Sequence, residues 1–197
     1  REAEALRIHG SFNQKLVPEL YLYDSERFVI AMENLSGYRV WRGALIEGLR
    51  HEGAAELVGQ YVAEVAFGTS VIGMPAEEQK LLMSKSINAE LCKITEDLVF
   101  TEPYDDIGRN SVLPSNEVDA QALANDAVMI QAMGEAKWKF MTNAEALIHG
   151  DLHTGSVMVR ALNGDQGPSL AMAFDSEFSF YGPIAFDIGA LWANYTL

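Results

Sequence analysis

The sequence predicts an α+β fold, on two observations: short apolar runs set between turn formers, and longer stretches with helical periodicity. Residues 146–148, 157–159 and 170–174 are apolar and short, as strands are. Asn163, Gly164, Asp165, Gln166, Gly167 and Pro168 lie between the last two runs, a density of turn formers that predicts a β-hairpin. Residues 19–35 are rich in β formers, with Asp24-Ser25-Glu26 as the turn of an earlier hairpin. Helices are expected over 1–9, over 76–86 and 88–98, and as one long element over 116–145. Val58, Tyr61, Val62, Val65 and Ala66 form a core-facing helical stripe. Trp41 is expected to pack and Arg42 to cap or face solvent, while Trp138, Phe140 and Met141 read as core. Ser115 or Asn116 could cap the long helix, and residues 103–114, with two prolines and a glycine, read as a surface loop.

Composition narrows the function. A net charge of −14 without a basic cluster argues against nucleic acid or an anionic membrane surface as partner. A chain this acidic that handled nucleotides would need a divalent cation between its carboxylates and the phosphates. The single cysteine, Cys92, cannot form an internal disulfide, which suits a reducing cytoplasm. No apolar run reaches the length of a membrane span, and no signal peptide is visible.

The chemistry concentrates in His149-Gly150-Asp151-Leu152-His153-Thr154-Gly155-Ser156, followed by Asp175-Ser176-Glu177-Phe178. His149, Asp151 and Ser156 keep the offsets of the kinase pattern H-R-D-x-x-x-x-N, and Asp175 stands where its second Asp falls. In that pattern the first Asp receives the substrate hydroxyl proton, while the Asn and second Asp hold magnesium. If the backbone stays extended after the hairpin, Asp175 and Glu177 project the same way. Two hard oxygen ligands near Asp151 then suit Mg²⁺ carrying nucleotide phosphates. Flanking Phe174 and Phe178 suggest a buried setting for the pair. The four-residue spacing of His149 and His153 invites a zinc reading. The intervening glycine and loop context argue against it, so both are expected to hold the loop by hydrogen bonds.

The string HGDLHTGS with DSEFSFYGPIAFDIGA closely resembles the methylthioribose kinase family, within the aminoglycoside phosphotransferase and choline kinase-like group. Ser156 in place of Asn, and D-x-E-F-x-F-Y-G-P in place of D-F-G, look specific to that family. Further matches include residues 2–6, 32–36, 41–43, 45–48 and 87–104. The resemblance implies a two-lobed, protein kinase-like fold: a small-lobe remnant over 1–36 and a partial helical lobe over 37–197. It also implies ATP-dependent phosphorylation of methylthioribose at its 1-hydroxyl, in methionine salvage, by a homodimer.

By resemblance, Asp151 orients and deprotonates that hydroxyl, and Asp175 and Glu177 hold the metal. Ser156 sits at the usual Asn position, with metal binding and a purely structural role evenly balanced. Met32, Glu33, Asn34 and Leu35 match the hinge, where backbone groups meet adenine. Asp187 resembles the helix-start acid that anchors the catalytic loop through its amides, or is an ordinary helix cap. Glu2 or Glu4 is the helix glutamate that pairs with a strand lysine, and the sequence does not choose between them. That lysine and a glycine-rich phosphate loop are missing, and both ends look cut, so an internal and inactive piece of a longer kinase is expected. Two alternatives stand: another kinase of this fold acting on an aminoglycoside, choline or homoserine, and a nucleotide-binding module without turnover.

Overall fold

A computed structural model describes residues 1–105, 109–163 and 167–196. Residues 164–166, the centre of the expected hairpin turn, and 106–108 of the expected surface loop lie outside the described residues. Contacts divide the chain into two compact units, residues 1–87 with 144–197, and residues 88–143.

In the first unit, helix α1 (Glu2–Phe12) buries Ala3, Ala5, Leu6 and His9, and ends where Asn13 turns to extended backbone. Strands β1 (Leu20–Asp24) and β2 (Val29–Met32) form an antiparallel ribbon with a register shift between Leu20 and Leu22. Asp24 builds their turn, accepting the amides of Glu26 and Arg27 at 3.0 Å each. Strand β3 (Arg39–Val40), helix α2 (Trp41–Ile46) and strand β4 (His51–Glu52) follow, then helices α3 (Ala54–Thr69) and α4 (Ala76–Lys85).

The second unit holds α5 (Ala89–Leu98), α6 (Glu117–Ala124) and α7 (Ala127–Thr142). The single helix expected over 116–145 is therefore two. Asp126 separates them because its carboxylate accepts the amides of Val128 at 2.9 Å and Met129 at 3.1 Å, capping α7. Asn116 precedes α6 without a side-chain cap bond; the Ser115 hydroxyl goes to its amide oxygen instead. Within this unit only Phe140 of the three expected core residues is buried, against Phe100 at 5.2 Å. Trp138 and Met141 are 67% and 54% exposed.

The chain returns to the first unit with β5 (Ala146–Ile148), β6 (Val157–Ala161), β7 (Gly167–Ala173), β8 (Phe180–Gly182) and α8 (Ile184–Thr196). The sheet runs β3-β6-β7-β4, with β6 and β7 paired antiparallel from Val157↔Ala173 to Ala161↔Ser169. β5 and β8 form a separate antiparallel pair. Leu6, Trp41, Val58, Tyr61, Val65, Leu152, Val157, Val159 and Ala171 share one core. Each large apolar side chain buried there contributes about 1.5–3 kcal/mol. Val58, Tyr61 and Val65 of the helical stripe on α3 belong to that core, Val62 packs against it, and α3 lies against β5 and β7.

Candidate active site

The site begins where β5, buried at all three positions, runs into His149 and Gly150. The pairing of β5 with β8 brings the start of α8 under this loop. Asp187, in the first turn of α8, accepts the amide of His149 at 2.7 Å and that of Gly150 at 3.0 Å. The Leu152 amide also favours its ionised form. Burial raises the Asp187 carboxyl above its ordinary value, opposed by His149 and these amides. Gly150 lies at φ 84°, and a β-carbon there would collide with the Phe178 carbonyl, so the tight loop requires glycine.

The His149 ring ties two segments together. Its Nε2 lies 2.9 Å from the Phe174 carbonyl, which only accepts, so Nε2 carries the proton. Its Nδ1 then accepts the Asp151 amide at 3.3 Å. Beneath it, Tyr61 meets the ring edge-on at 6.4 Å, and the Tyr61 hydroxyl bonds His9 Nδ1 at 2.9 Å. Burial and the nearby His149 press His9 down to about 3, so it is neutral. Burial, then the Asp187 charge, pushes the Tyr61 phenol well up.

Asp151 leaves the loop with its side chain about half exposed, 3.6 Å from His153 Nε2. His153 Nδ1 lies 3.1 Å from the Ser156 hydroxyl, which is buried. The rings of His149 and His153 are thus occupied by different partners. Arg42, assigned by sequence to capping or solvent, is exposed as expected, and it also lies near Gly155 and bonds Asn194 at 3.4 Å. No local pattern reports this, because α2 and α8 meet the loop only in the folded chain.

The β6–β7 hairpin carries the chain to Phe174, whose amide bonds the Ser156 carbonyl at 3.0 Å. The condition for Asp175 and Glu177 to project the same way, an extended backbone, is not met. Asp175 adopts φ 63°, ψ 47°, and residues 176–178 form a 3-10 turn. The turn buries Ser176 and leaves both carboxylates exposed, contrary to the expected buried setting. A short left-handed step reverses the chain within one residue, which Asp tolerates better than bulkier side chains.

Helix α1 packs on this turn. Burial, then the charges of Asp175 and Glu177, raises the Glu2 carboxyl above its ordinary value. Glu4 is instead exposed and pairs with Arg7 at 2.8 Å. Of the two glutamates, Glu2 faces the acidic turn. Among the described residues no group of three or more His, Cys, Asp or Glu is arranged to hold a metal ion unaided. Magnesium characteristically takes one or two carboxylates and completes its shell with phosphates and water, so Asp175 and Glu177 fit that donor chemistry.

The residues after β2 form a compact turn. The Glu33 amide bonds the Glu19 carbonyl at 2.8 Å, the Ser36 amide bonds Asn34 Oδ1 at 3.0 Å, and the Tyr38 amide bonds the Leu35 carbonyl at 3.0 Å. Met32 packs against the core at the strand end.

Residues 3–197 match the model of the phosphotransferase enzyme family. The chain is similar to the methylthioribose kinase of Geobacillus kaustophilus, 41% identical over 196 residues, covering 100% of this chain and 48% of that protein. It is similarly close to that of Bacillus cereus, at 39% over the same spans. To that of Escherichia coli it is 45% identical over 184 residues, 92% of this chain and 42% of that protein. The chain thus spans about half the length of the curated relatives it matches. With the family model matched almost end to end, and the HGDLH loop and acidic turn inside the match, the chain belongs to the phosphotransferase enzyme family.

Proposed function

We propose that the whole protein transfers the γ-phosphoryl group of ATP to the 1-hydroxyl of S-methyl-5-thioribose, giving 5-methylthioribose 1-phosphate for methionine salvage. The relatives named methylthioribose kinase supply the substrate. One observation carries the chemistry: a single side chain, His149, joins the Asp151 loop to the residue preceding Asp175. The half-exposed acid and the acidic turn therefore keep a fixed mutual position.

In this reading Asp151 accepts a hydrogen bond from the acceptor hydroxyl, aligns it for in-line attack and takes its proton late. His153 faces the same carboxylate and limits its rotation. Asp175 and Glu177 are the residues that hold Mg²⁺, and the ion supplies charge neutralisation of the nucleotide phosphates. Glu2, whose carboxyl is disfavoured as an anion by burial and then by those acids, pairs with a lysine of the phosphate-gripping lobe. The peptide groups of residues 32–35 meet adenine. The Ser156 hydroxyl, buried against His153, supports the loop rather than the metal. His149 and Asp187 support the loop from beneath. We take residues 1–36 as small-lobe remnant and 37–197 as part of the large lobe. The protein acts as a cytoplasmic homodimer without nucleic-acid or membrane partners. Among the described residues no helix is long and apolar enough to cross a membrane.

Replacing Asp151 by Asn in the full-length protein tests the assignment. Turnover of methylthioribose falls about 10²- to 10⁴-fold, the usual contribution of a positioned acid–base group, with ATP affinity kept within about twofold. A variant as fast as its parent refutes the role. A parent that prefers choline, homoserine or an aminoglycoside refutes the substrate.

A further inference from the structure

Arg42 is exposed, yet its guanidinium sits beside the loop rather than standing clear of it. Its Nη2 donates to Asn194 Oδ1 at 3.4 Å near the end of α8, and the same oxygen accepts the Thr154 hydroxyl. A β-carbon on Gly155 would lie 2.7 Å from His153 Cε1 and 3.0 Å from Arg42 Cζ. Guanidinium and imidazole therefore meet over one glycine, and that imidazole is the group facing Asp151 at 3.6 Å. The absence of a side chain at Gly155 is what admits both.

Arg7, Arg27, Arg39 and Arg109 each pair with a carboxylate, whereas among the described residues Arg1, Arg42, Arg50 and Arg160 do not. Among the described residues Arg42 has no carboxylate within ion-pair distance. A guanidinium carries five N–H donors in a rigid planar fork. Its one side-chain bond here is long, to a neutral amide oxygen already shared with Thr154. Arg42 is exposed, and the His153 ring near it is the one that faces the half-exposed Asp151. The acidic turn is tied to the loop through His149, whereas Arg42 is linked to the loop through Asn194 and Thr154. An acceptor whose reacting hydroxyl sits at Asp151 and whose body extends past His153 meets the arginine fork.

We infer that Arg42 is an acceptor-binding residue, donating paired hydrogen bonds to hydroxyl oxygens of a polyhydroxylated acceptor at the end remote from the reacting hydroxyl. This assignment rests on the phosphotransfer reading above and adds the group that selects a sugar over a simple alcohol. Adjacent ring hydroxyls offer two oxygens at a spacing the fork can span, and a monohydroxylic acceptor offers none beyond the one at Asp151.

The test uses the full-length protein with three replacements: Arg42→Ala, Arg42→Lys and Gly155→Ala. The first removes the fork, and the second keeps the charge but not the planar donors. The third displaces only the ends of two side chains. For Arg42→Ala, kcat/KM for the sugar falls about 10- to 100-fold, the size of lost hydrogen bonds to a charged donor. The KM for ATP changes less than about twofold. Arg42→Lys recovers part of the loss, and Gly155→Ala lowers sugar kcat/KM in the same direction as Arg42→Ala. The inference is overturned if sugar kcat/KM stays within twofold of the parent in both alanine variants. It is equally overturned if the KM for ATP rises as much as that for the sugar, the mark of a general structural role. A parent that phosphorylates ribose or another polyol but not methylthioribose refutes the substrate reading alone, and Arg42 is then judged on that polyol. A parent that consumes no hydroxylated acceptor ends both.

Discussion

The HGDLHTGS loop over 149–156 and the acidic turn over 174–178 are joined at His149, yet they are held in opposite ways. The loop is fixed by the fold itself. Asp187 satisfies its amides, Leu152 is fully buried in the core, and Ser156 and Thr154 are buried too. The turn instead leaves two carboxylates exposed, and their charges add to burial in raising the carboxyl of a third, Glu2. The loop therefore presents Asp151 before any ligand arrives. The turn gathers negative charge at some cost to the folded state, a cost that a bound cation would offset. Loop residues should accordingly carry both stability and activity, and turn residues activity alone.

The largest effect is expected on the loop side. Asp187→Ala strands the amides of His149 and Gly150 in a buried setting. A loss on the order of 3–5 kcal/mol follows, the range for removing one partner of a buried charged network. A urea midpoint that converts to under about 1 kcal/mol of destabilisation would show that the loop does not depend on this anchor.

Much of the loop was legible before the structure, for a physical reason. The apolar runs 146–148 and 157–159 are short and sharply bounded, and the chemistry between them is dense in one octapeptide. The turn's exposure was not legible, because side-chain alternation applies only to extended backbone and nothing in Asp175 or Ser176 announces a left-handed step. Periodicity likewise ran through Asn125 and Asp126, although Asp126 begins a new helix by capping it. Trp138 and Met141 share the apolar character of Phe140, so composition alone could not tell which of the three is covered. The choice between Glu2 and Glu4 depends on how α1 docks on the turn, and Arg42 depends on α2, α8 and the loop meeting. Those are tertiary facts, with no local signature.

An intermediate effect concerns the support beneath the loop and is read by pH. His9 lies under Tyr61 and beside the His149 ring, with its Nε2 unpartnered among the described residues. Its folded-state pKa is about 3, below the ordinary 6.5. Between those values the unfolded chain binds a proton that the folded chain refuses, so stability rises with pH across the window. It is fully present above about 6.5 and lost as pH falls toward about 3. The slope is about 1.4 kcal/mol for each pH unit, hence a few kcal/mol at the acid end. Glu2 and Asp187, both raised, act in the opposite direction at higher pH, and they are common to parent and variant. The parent minus His9→Gln difference in urea stability at pH 7 and pH 4 isolates the histidine. An unchanged difference means that His9 is not held neutral by the fold.

The smallest effect on stability is expected where the effect on turnover is severe. Exposed carboxylates contribute little to folding, so the pair Asp175→Asn and Glu177→Gln should shift the urea midpoint by less than about 1 kcal/mol in either direction. Removing both charges should also lower the Glu2 carboxyl toward its ordinary value, though not fully, because burial is the larger cause of its rise. A carboxyl titration of Glu2 by NMR in parent and double variant reads this directly. The expected result is a stable fold with an easier-to-ionise Glu2 and, in the full-length protein, lost turnover. If the double variant unfolds at markedly lower urea, the carboxylates themselves hold the turn, and the contrast with the loop disappears.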